Sequence, residues 1–230
     1  MTNSPLVLSP GVPAYAALRD VIRADIMAGR LPAGTRLTTA SLVERFGISQ
    51  MPVREALQAL EGEGLITILP HKGATVLSLD AKRVSDIYDL RGAVESLLVR
   101  RSVPNLTNAA MKQLRQIHAE LSAAVAAGNS SEVFALNTRF HTLINRHADN
   151  PEAIGVYDRY VNIVGSLRTQ YGFSQFRMQQ MEEEHEQILA ALLAQDEDRL
   201  DAIIRLHVEG AKEDLIERMQ AAAPARTGTG

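Results

Sequence analysis

The chain has no cysteine, which excludes disulfides, thiolate nucleophiles and cysteine-ligated metals. It has no apolar run approaching the ~18–20 residues of a membrane span. The opening MTNSPLVLSPGVP lacks the basic and apolar regions of a secretory signal. A cytoplasmic protein with no membrane partner is therefore the expectation. Excess positive charge is also missing, since 24 Lys and Arg stand against 27 Asp and Glu for a net of −3. That balance argues against a structural protein that coats nucleic acid through a strong field. Residues 1–78 hold 7 of the basic residues and 6 of the acidic ones, leaving 17 and 21 for the remainder. If the front of the chain grips DNA, it does so with individually placed arginines and helix N-termini.

At 230 residues with 46% hydrophobic and 22% charged residues, the composition is that of a soluble globular protein of one large or two small domains. Residues 1–12 are rich in Pro, Ser and Gly and read as a flexible tail. A helix is expected from near Pro13, burying Leu18, Val21, Ile22 and Ile26 and stopping at Gly29. LPAGTRL (31–37) reads as a turn. Thr39 can cap a short helix that closes at Gly47, and Ser49 a helix over roughly 50–63. Two β-prone runs, Leu65–Leu69 and Ala74–Leu79, flank Pro70-His71-Lys72-Gly73 and predict a hairpin. Three helices and a hairpin over residues 13–79 make a winged helix-turn-helix. Beyond Asp80 the pattern is helical throughout, near 81–102, 108–127, 131–148, 152–171, 175–195 and 198–220. The expected fold is mainly α: a winged helix-turn-helix, then an antiparallel bundle of about six helices over 80–220, then a low-complexity tail at 221–230.

In the helix at 50–63, Val53, Ala56, Leu57 and Leu60 share the apolar face, while Gln50, Met51, Arg54, Glu55 and Gln58 occupy the other. A solvated face would look the same. In a helix-turn-helix, however, the start of the second helix enters the major groove. Gln50 could then read a base edge, Arg54 a guanine or a phosphate, and Ser49 with the free N–H groups of the first turn a phosphate. The run from Tyr15 to Val76 resembles the N-terminal domain of the GntR superfamily of bacterial regulators. The resemblance is carried by Leu31-Pro32-Ala33-Gly34-Thr35-Arg36-Leu37, Phe46-Gly47-Ile48-Ser49, Pro52-Val53-Arg54-Glu55-Ala56-Leu57, Leu60-Glu61-Gly62-Glu63-Gly64-Leu65-Ile66 and Gly73-Ala74-Thr75-Val76. It implies DNA contacts from Arg36, Ser49, Gln50, Met51, Arg54 and Gln58, and from His71, Lys72 and Gly73 of the wing. Position 50 is commonly arginine in that family, so glutamine here implies a different operator or a weaker grip.

Six histidines are present. Asn137 and His141 are one helical turn apart, about 6 Å along the axis. An antiparallel pair of helices turning near 196–197 brings His185 level with 207–209, so His185 and His207 can converge. Three histidines in a bundle can equally be unrelated core or surface residues. The segments Tyr88-Asp89-Leu90-Arg91-Gly92-Ala93-Val94-Glu95, Asn137-Thr138-Arg139-Phe140-His141 and Glu184-His185-Glu186-Gln187-Ile188-Leu189-Ala190-Ala191, with the late His207, resemble the FCD domain, the ligand-binding domain of the FadR/VanR-type branch. That resemblance implies a divalent metal, zinc or nickel, held by His141, His185 and His207. The family's aspartate position is Asn137 here, which can ligate through its amide oxygen but adds no charge. An uncompensated cation favours an anionic effector at an open position. His118 and His147 match nothing in the family and are expected at the surface.

Arg91 reads either as a partner for Glu95 at i+4 or as a bidentate clamp on an effector carboxylate. Glu95, Arg139 and Arg168 are further effector candidates, and Tyr88, Tyr157 and Phe140 either line a pocket or fill a core. The expected function is a ligand-responsive regulator of transcription, a repressor acting as a homodimer on a pseudo-palindromic DNA operator, and not an enzyme. The alternative is a metal-dependent enzyme, because an open histidine site can activate water. Only Glu184 then stands near enough to be a base.

Overall fold

The structure is a computed structural model that describes residues 11–69, 72–77 and 79–222. It divides into two compact units, one ending at Asp80 and the other starting at Ala81. Most of both tails, and His71 of the wing, lie outside the described residues.

In the first unit, α1 (Ala14–Met27), α2 (Thr39–Phe46) and α3 (Gln50–Gly62) accompany three short strands: β1 (Arg36–Leu37), β2 (Ile66–Leu69) and β3 (Gly73–Val76). The strands are antiparallel in the order β1-β3-β2, with Arg36 opposite Thr75 and Ile66 opposite Val76. β1 falls inside the stretch read as a turn, and two residues are too few to show strand periodicity. Leu18, Ile22, Phe46, Val53, Leu57, Leu60, Ile66 and Val76 meet in one core. Val21, expected inside, is exposed on α1. The cap of α2 is Thr38 rather than Thr39: its hydroxyl accepts from the Ser41 amide at 3.1 Å, and the Ser41 hydroxyl accepts from the Thr38 amide at 3.3 Å. This reciprocal pair satisfies two donors that the first helical turn leaves free. Ser49 sits at the cap position of α3, but its side chain makes no cap hydrogen bond.

Carboxylates inside this unit tie down much of its positive charge. The nearly buried Asp25 of α1 receives Arg30 Nε at 2.7 Å and Arg45 Nη2 at 3.0 Å, fastening α2 to α1. Arg23 pairs with Glu63 and, at 2.9 Å, with Asp20, which also takes Arg19 at 2.9 Å.

The second unit comprises α4 (Ala81–Ser102), α5 (Asn108–Ala126), α6 (Ser130–Asn145), α7 (Pro151–Tyr171), α8 (Gln175–Ala194) and α9 (Glu197–Ala222). The residue before most of these helices accepts a backbone amide: Thr107 from Ala110 at 3.1 Å, Asn129 from Glu132 at 3.2 Å, Asn150 from Ala153 at 3.1 Å and Ser174 from Arg177 at 3.1 Å. The expected helix through 148 is α6 followed by a tighter 3-10 turn, Arg146–Ala148. α4 packs on α9 and α7, α5 on α6 and α8, and α8 on α9. Among the described residues, no helix is long and apolar enough to cross a membrane.

Gly73 opens β3 at φ +80°, and a Cβ there would lie 2.5 Å from the Leu37 carbonyl oxygen. Backbone conformation and the close approach of β1 both demand glycine. Gly73→Ala is expected to cost about 1–3 kcal/mol in thermal denaturation. Gly62→Ala, with nothing within 4 Å, is expected to be neutral or stabilising; equal melting temperatures for the two variants would contradict this account.

Candidate functional site

α6 turns Asn137 and His141 inward toward His185 of α8 and His207 of α9. All three imidazoles are at most 1% exposed, and Asn137 is 8% exposed. His141 Nε2 lies 3.0 Å from His207 Nε2, and His185 Nε2 lies 3.0 Å from Asn137 Oδ1. The histidine nitrogens that could ligate all fall within 4.8 Å of one another. Neighbouring ligands at right angles around an ion bound at about 2.1 Å are separated by roughly 3.0 Å. These side chains therefore fit a divalent metal.

The outer ring nitrogens sharpen the fit. Fully buried Glu95 of α4 places Oε1 2.6 Å from His141 Nδ1, and Glu184 Oε2 stands 2.8 Å from His207 Nδ1. A carboxylate oxygen tolerates such approach only by a nitrogen that carries hydrogen. Were both protons on Nδ1, both Nε2 atoms would turn lone pairs toward each other across 3.0 Å, and a proton or a cation between them would relieve the repulsion.

Burial pushes His185 and His207 well below the usual imidazole range, and the neighbouring His141 pushes the same way. Both rings are thus held neutral, the form that ligates. Burial alone would raise the Glu95 carboxyl, but His141 and Arg91 overcome it and hold the group down at about 2. Phe140 stacks on His185 with centroids 4.2 Å apart and planes 13° from parallel.

The expected effector residues separate. Arg91 is buried, 3.2 Å from Glu95, with its guanidinium 5.5 Å from the Tyr88 ring and 5.8 Å from the Tyr157 ring. Burial keeps the Tyr157 phenol protonated by raising it far above its ordinary range. Arg139 is instead on the outer face of α6, 60% exposed and 3.2 Å from Glu120. Two residues from both Asn137 and His141 is a rotation of about 200°, so it cannot share their face. Arg168 is buried but elsewhere. Its Nη1 donates to Asp214 at 2.6 Å and to the Gly172 carbonyl at 2.7 Å, its Nη2 donates to the Ala211 carbonyl, and Phe173 lies beneath it at 3.9 Å. Those bonds clip the end of α7 to α9 and commit both hydrogens of Nη1 within the bundle. His118, expected at the surface, is only 13% exposed, with its ring 6.2 Å from that of His185. His147 is half-buried and reaches the Leu143 carbonyl at 2.8 Å. The residue that sequence reasoning missed is Arg177, 2% exposed and bound to both oxygens of Glu184. Its one signal was the seven-residue spacing from Glu184, two turns along one face.

In the first unit, α3 exposes Gln50, Met51, Arg54, Glu55 and Gln58. Arg54 and Gln58 share an open cleft of about 500 Å³ with Arg36, Thr38 and Thr39 and with Lys72 and Gly73 of the wing. Arg36 Nε donates to the Lys72 carbonyl at 2.6 Å, linking β1 to the wing.

Comparison with known families matches residues 86–210 to the FCD domain and residues 14–76 to the bacterial regulatory proteins of the gntR family. The chain belongs to the GntR family, in its FCD-bearing form. As a GntR regulator it resembles the HTH-type transcriptional repressor RspR of Escherichia coli K12, with 26% identity over 90% of this chain and 91% of that one. The solved structure of E. coli McbR/YncC covers 92% of this chain and 100% of its own at TM-score 0.64 and 22% identity. A metal-free FCD domain of another regulator covers 63% of this chain and 99% of its own at TM-score 0.52 and 16% identity. Both structures show the shared fold.

The depressed histidines fix a sign for the pH dependence. In the unfolded chain His185 and His207 take up protons near pH 6.5, whereas in the folded chain they do so only well below it. Between pH 7 and 5 the unfolded state gains protons that the folded state does not, so stability falls with pH. Melting of chelator-treated protein is expected at progressively lower temperature across that window. A melting temperature that rises on acidification would contradict the placement of these rings.

Proposed function

We propose that this GntR regulator is an effector-responsive repressor. Its winged helix-turn-helix reads a DNA operator, and its bundle holds a divalent ion, zinc or nickel, beside the site of an anionic metabolite. The observation that carries the metal reading is the 3.0 Å meeting of His141 and His207 through nitrogens whose outer partners are carboxylates. When bound, a divalent cation supplies a Lewis-acidic position to which an oxyanion can attach.

The residues divide the work. His141, His185 and His207 offer ring nitrogens, and Asn137 offers an oxygen without charge. Glu95 orients His141 and neutralises Arg91, while Phe140 covers one face of His185. The buried carboxylates and arginines balance as two ion pairs, so the cation's charge is left for an anion to answer. Arg91 is the bundle arginine suited to meet it, by exchanging Glu95 for the effector. Glu184, the carboxylate an enzyme would need as a base, is engaged by Arg177 and His207 at once.

At the other end, Gln50 and Arg54 face the major groove, with Ser49 at the helix N-terminus and Met51 and Gln58 alongside. Arg36, Lys72 and Gly73 flank the backbone in the shared cleft. One such module reads only a few base pairs, so useful specificity requires a homodimer on two half-sites. A cytoplasmic location follows from that role.

Arg54→Ala is expected to weaken specific operator binding by about 1–3 kcal/mol; unchanged affinity in a gel-shift titration would remove α3 from the groove. For the metal, elemental analysis of untagged protein purified without chelator is expected to show about one divalent ion per chain. Zinc or nickel should raise the melting temperature of stripped protein, and Asn137→Asp should tighten binding by restoring a charged ligand. Absent metal, together with an unmoved melting temperature, would reduce the three histidines to packing groups.

A further inference from the structure

Arg177 and Gly210 each carry a cost that nothing else in the bundle explains. Arg177 is among the largest fully buried side chains, and a charge out of water is expensive unless every partner is in place. Gly210 lies inside α9, where glycine weakens a helix. The two costs have one cause. A Cβ at position 210 would lie 2.8 Å from Arg177 Nη1, so the glycine is the notch in which the guanidinium rests.

From that notch Arg177 donates Nη2 to the His207 carbonyl at 2.9 Å, and it grips Glu184 through Nη1 at 2.8 Å and Nη2 at 2.6 Å. Glu184 is then left with Oε2 2.8 Å from His207 Nδ1. An ion pair serving stability alone could be replaced by apolar groups of similar volume at little cost. This one ends on the outer nitrogen of a proposed ligand. His207 Nδ1 meets an acceptor in hydrogen-bond geometry, whereas the buried Nδ1 atoms of His141 and His185 do not.

We infer that Arg177 and Glu184, seated in the Gly210 notch, are positioning residues that hold the proton of His207 on Nδ1 and aim its Nε2 lone pair into the site. The role in metal binding rests on the reading of the three histidines as ligands; the tautomer does not. Groups in this outer position typically change metal affinity 10–100-fold when removed.

The test uses full-length protein labelled with 15N-histidine and stripped of metal. Long-range proton–nitrogen correlation reads the His207 tautomer, with its signals assigned by their loss in His207→Gln. Competition with a chromophoric chelator reads zinc affinity. Wild type is expected to carry the proton on Nδ1. Glu184→Leu should move it toward Nε2 and weaken zinc about 10–100-fold, while Glu184→Gln, which keeps an acceptor oxygen, should hold the tautomer and bind zinc within about tenfold of wild type. Arg177→Met releases Glu184 and the His207 carbonyl but leaves the Glu184 carboxylate facing the ring, and should fall between them, which keeps the test alive if Glu184→Leu does not fold. Arg168→Met breaks another buried pair, two turns along α9 from His207, and should lower the melting temperature while leaving tautomer and zinc affinity alone.

The inference is overturned if wild-type His207 carries its proton on Nε2. It is also overturned if Glu184→Leu and Arg177→Met leave both tautomer and zinc affinity unchanged, or if Arg168→Met shifts them as much. A tautomer that responds to Glu184 in a wild-type protein that binds no zinc would uphold the positioning role and remove the metal reading alone.

Discussion

The second unit is organised around two buried imidazole nitrogens, Nε2 of His141 and Nε2 of His207, held 3.0 Å apart. Four helices converge on that gap. α6 and α9 bring the rings, α4 contributes Glu95 and α8 contributes Glu184, each meeting a ring from behind. With a carboxylate behind each ring, a positive charge in the gap would be favoured.

Charge balance explains why so many ionisable groups can be interior. Glu95 is matched by Arg91, Glu184 by Arg177 and Asp214 by Arg168. Each pair also bonds or contacts something beyond itself, whether a histidine ring or backbone carbonyls. Isolated buried charges would shift their equilibria until they were neutral. Through those further contacts the pairs tie α4 to α6, α8 to α9 and α7 to α9.

Where local rules govern, the sequence was readable. The six helices of the bundle appear at nearly the expected limits, and for four of them Thr, Asn or Ser just before the helix performs capping that depends on adjacent residues alone. The apolar set Val53, Ala56, Leu57 and Leu60 followed from helical period. Asn137 with His141 needed only one turn of helix, and His185 with His207 only the arithmetic of an antiparallel turn. The unread features were those decided by a neighbour distant in sequence. Glu95 read as a partner for Arg91 or as an effector residue, since nothing in its own helix announces a histidine on α6. Arg168 looked like a free cation, because Asp214 lies 46 residues away. Arg139 could have been set aside by helical phase, as it stands across the axis from the residues on either side of it. β1 escaped because pairing across to β3, and no pattern of its own, makes it a strand.

The arginine pairings of the first unit bear on how the protein would find its operator. Of its seven basic residues, Arg19, Arg23, Arg30 and Arg45 are held by Asp20, Asp25 and Glu63. Arg36, Arg54 and Lys72 are paired with no carboxylate among the described residues, and all three line one cleft. Neutralising so few phosphates releases few counterions, so the salt sensitivity of binding would be shallow, with an exponent of about three per chain. Attraction to DNA of arbitrary sequence, which depends on the same term, would be correspondingly faint. A regulator built this way spends little time detained on the wrong stretches of a chromosome, and its residence on the right one rests on contacts with the bases themselves.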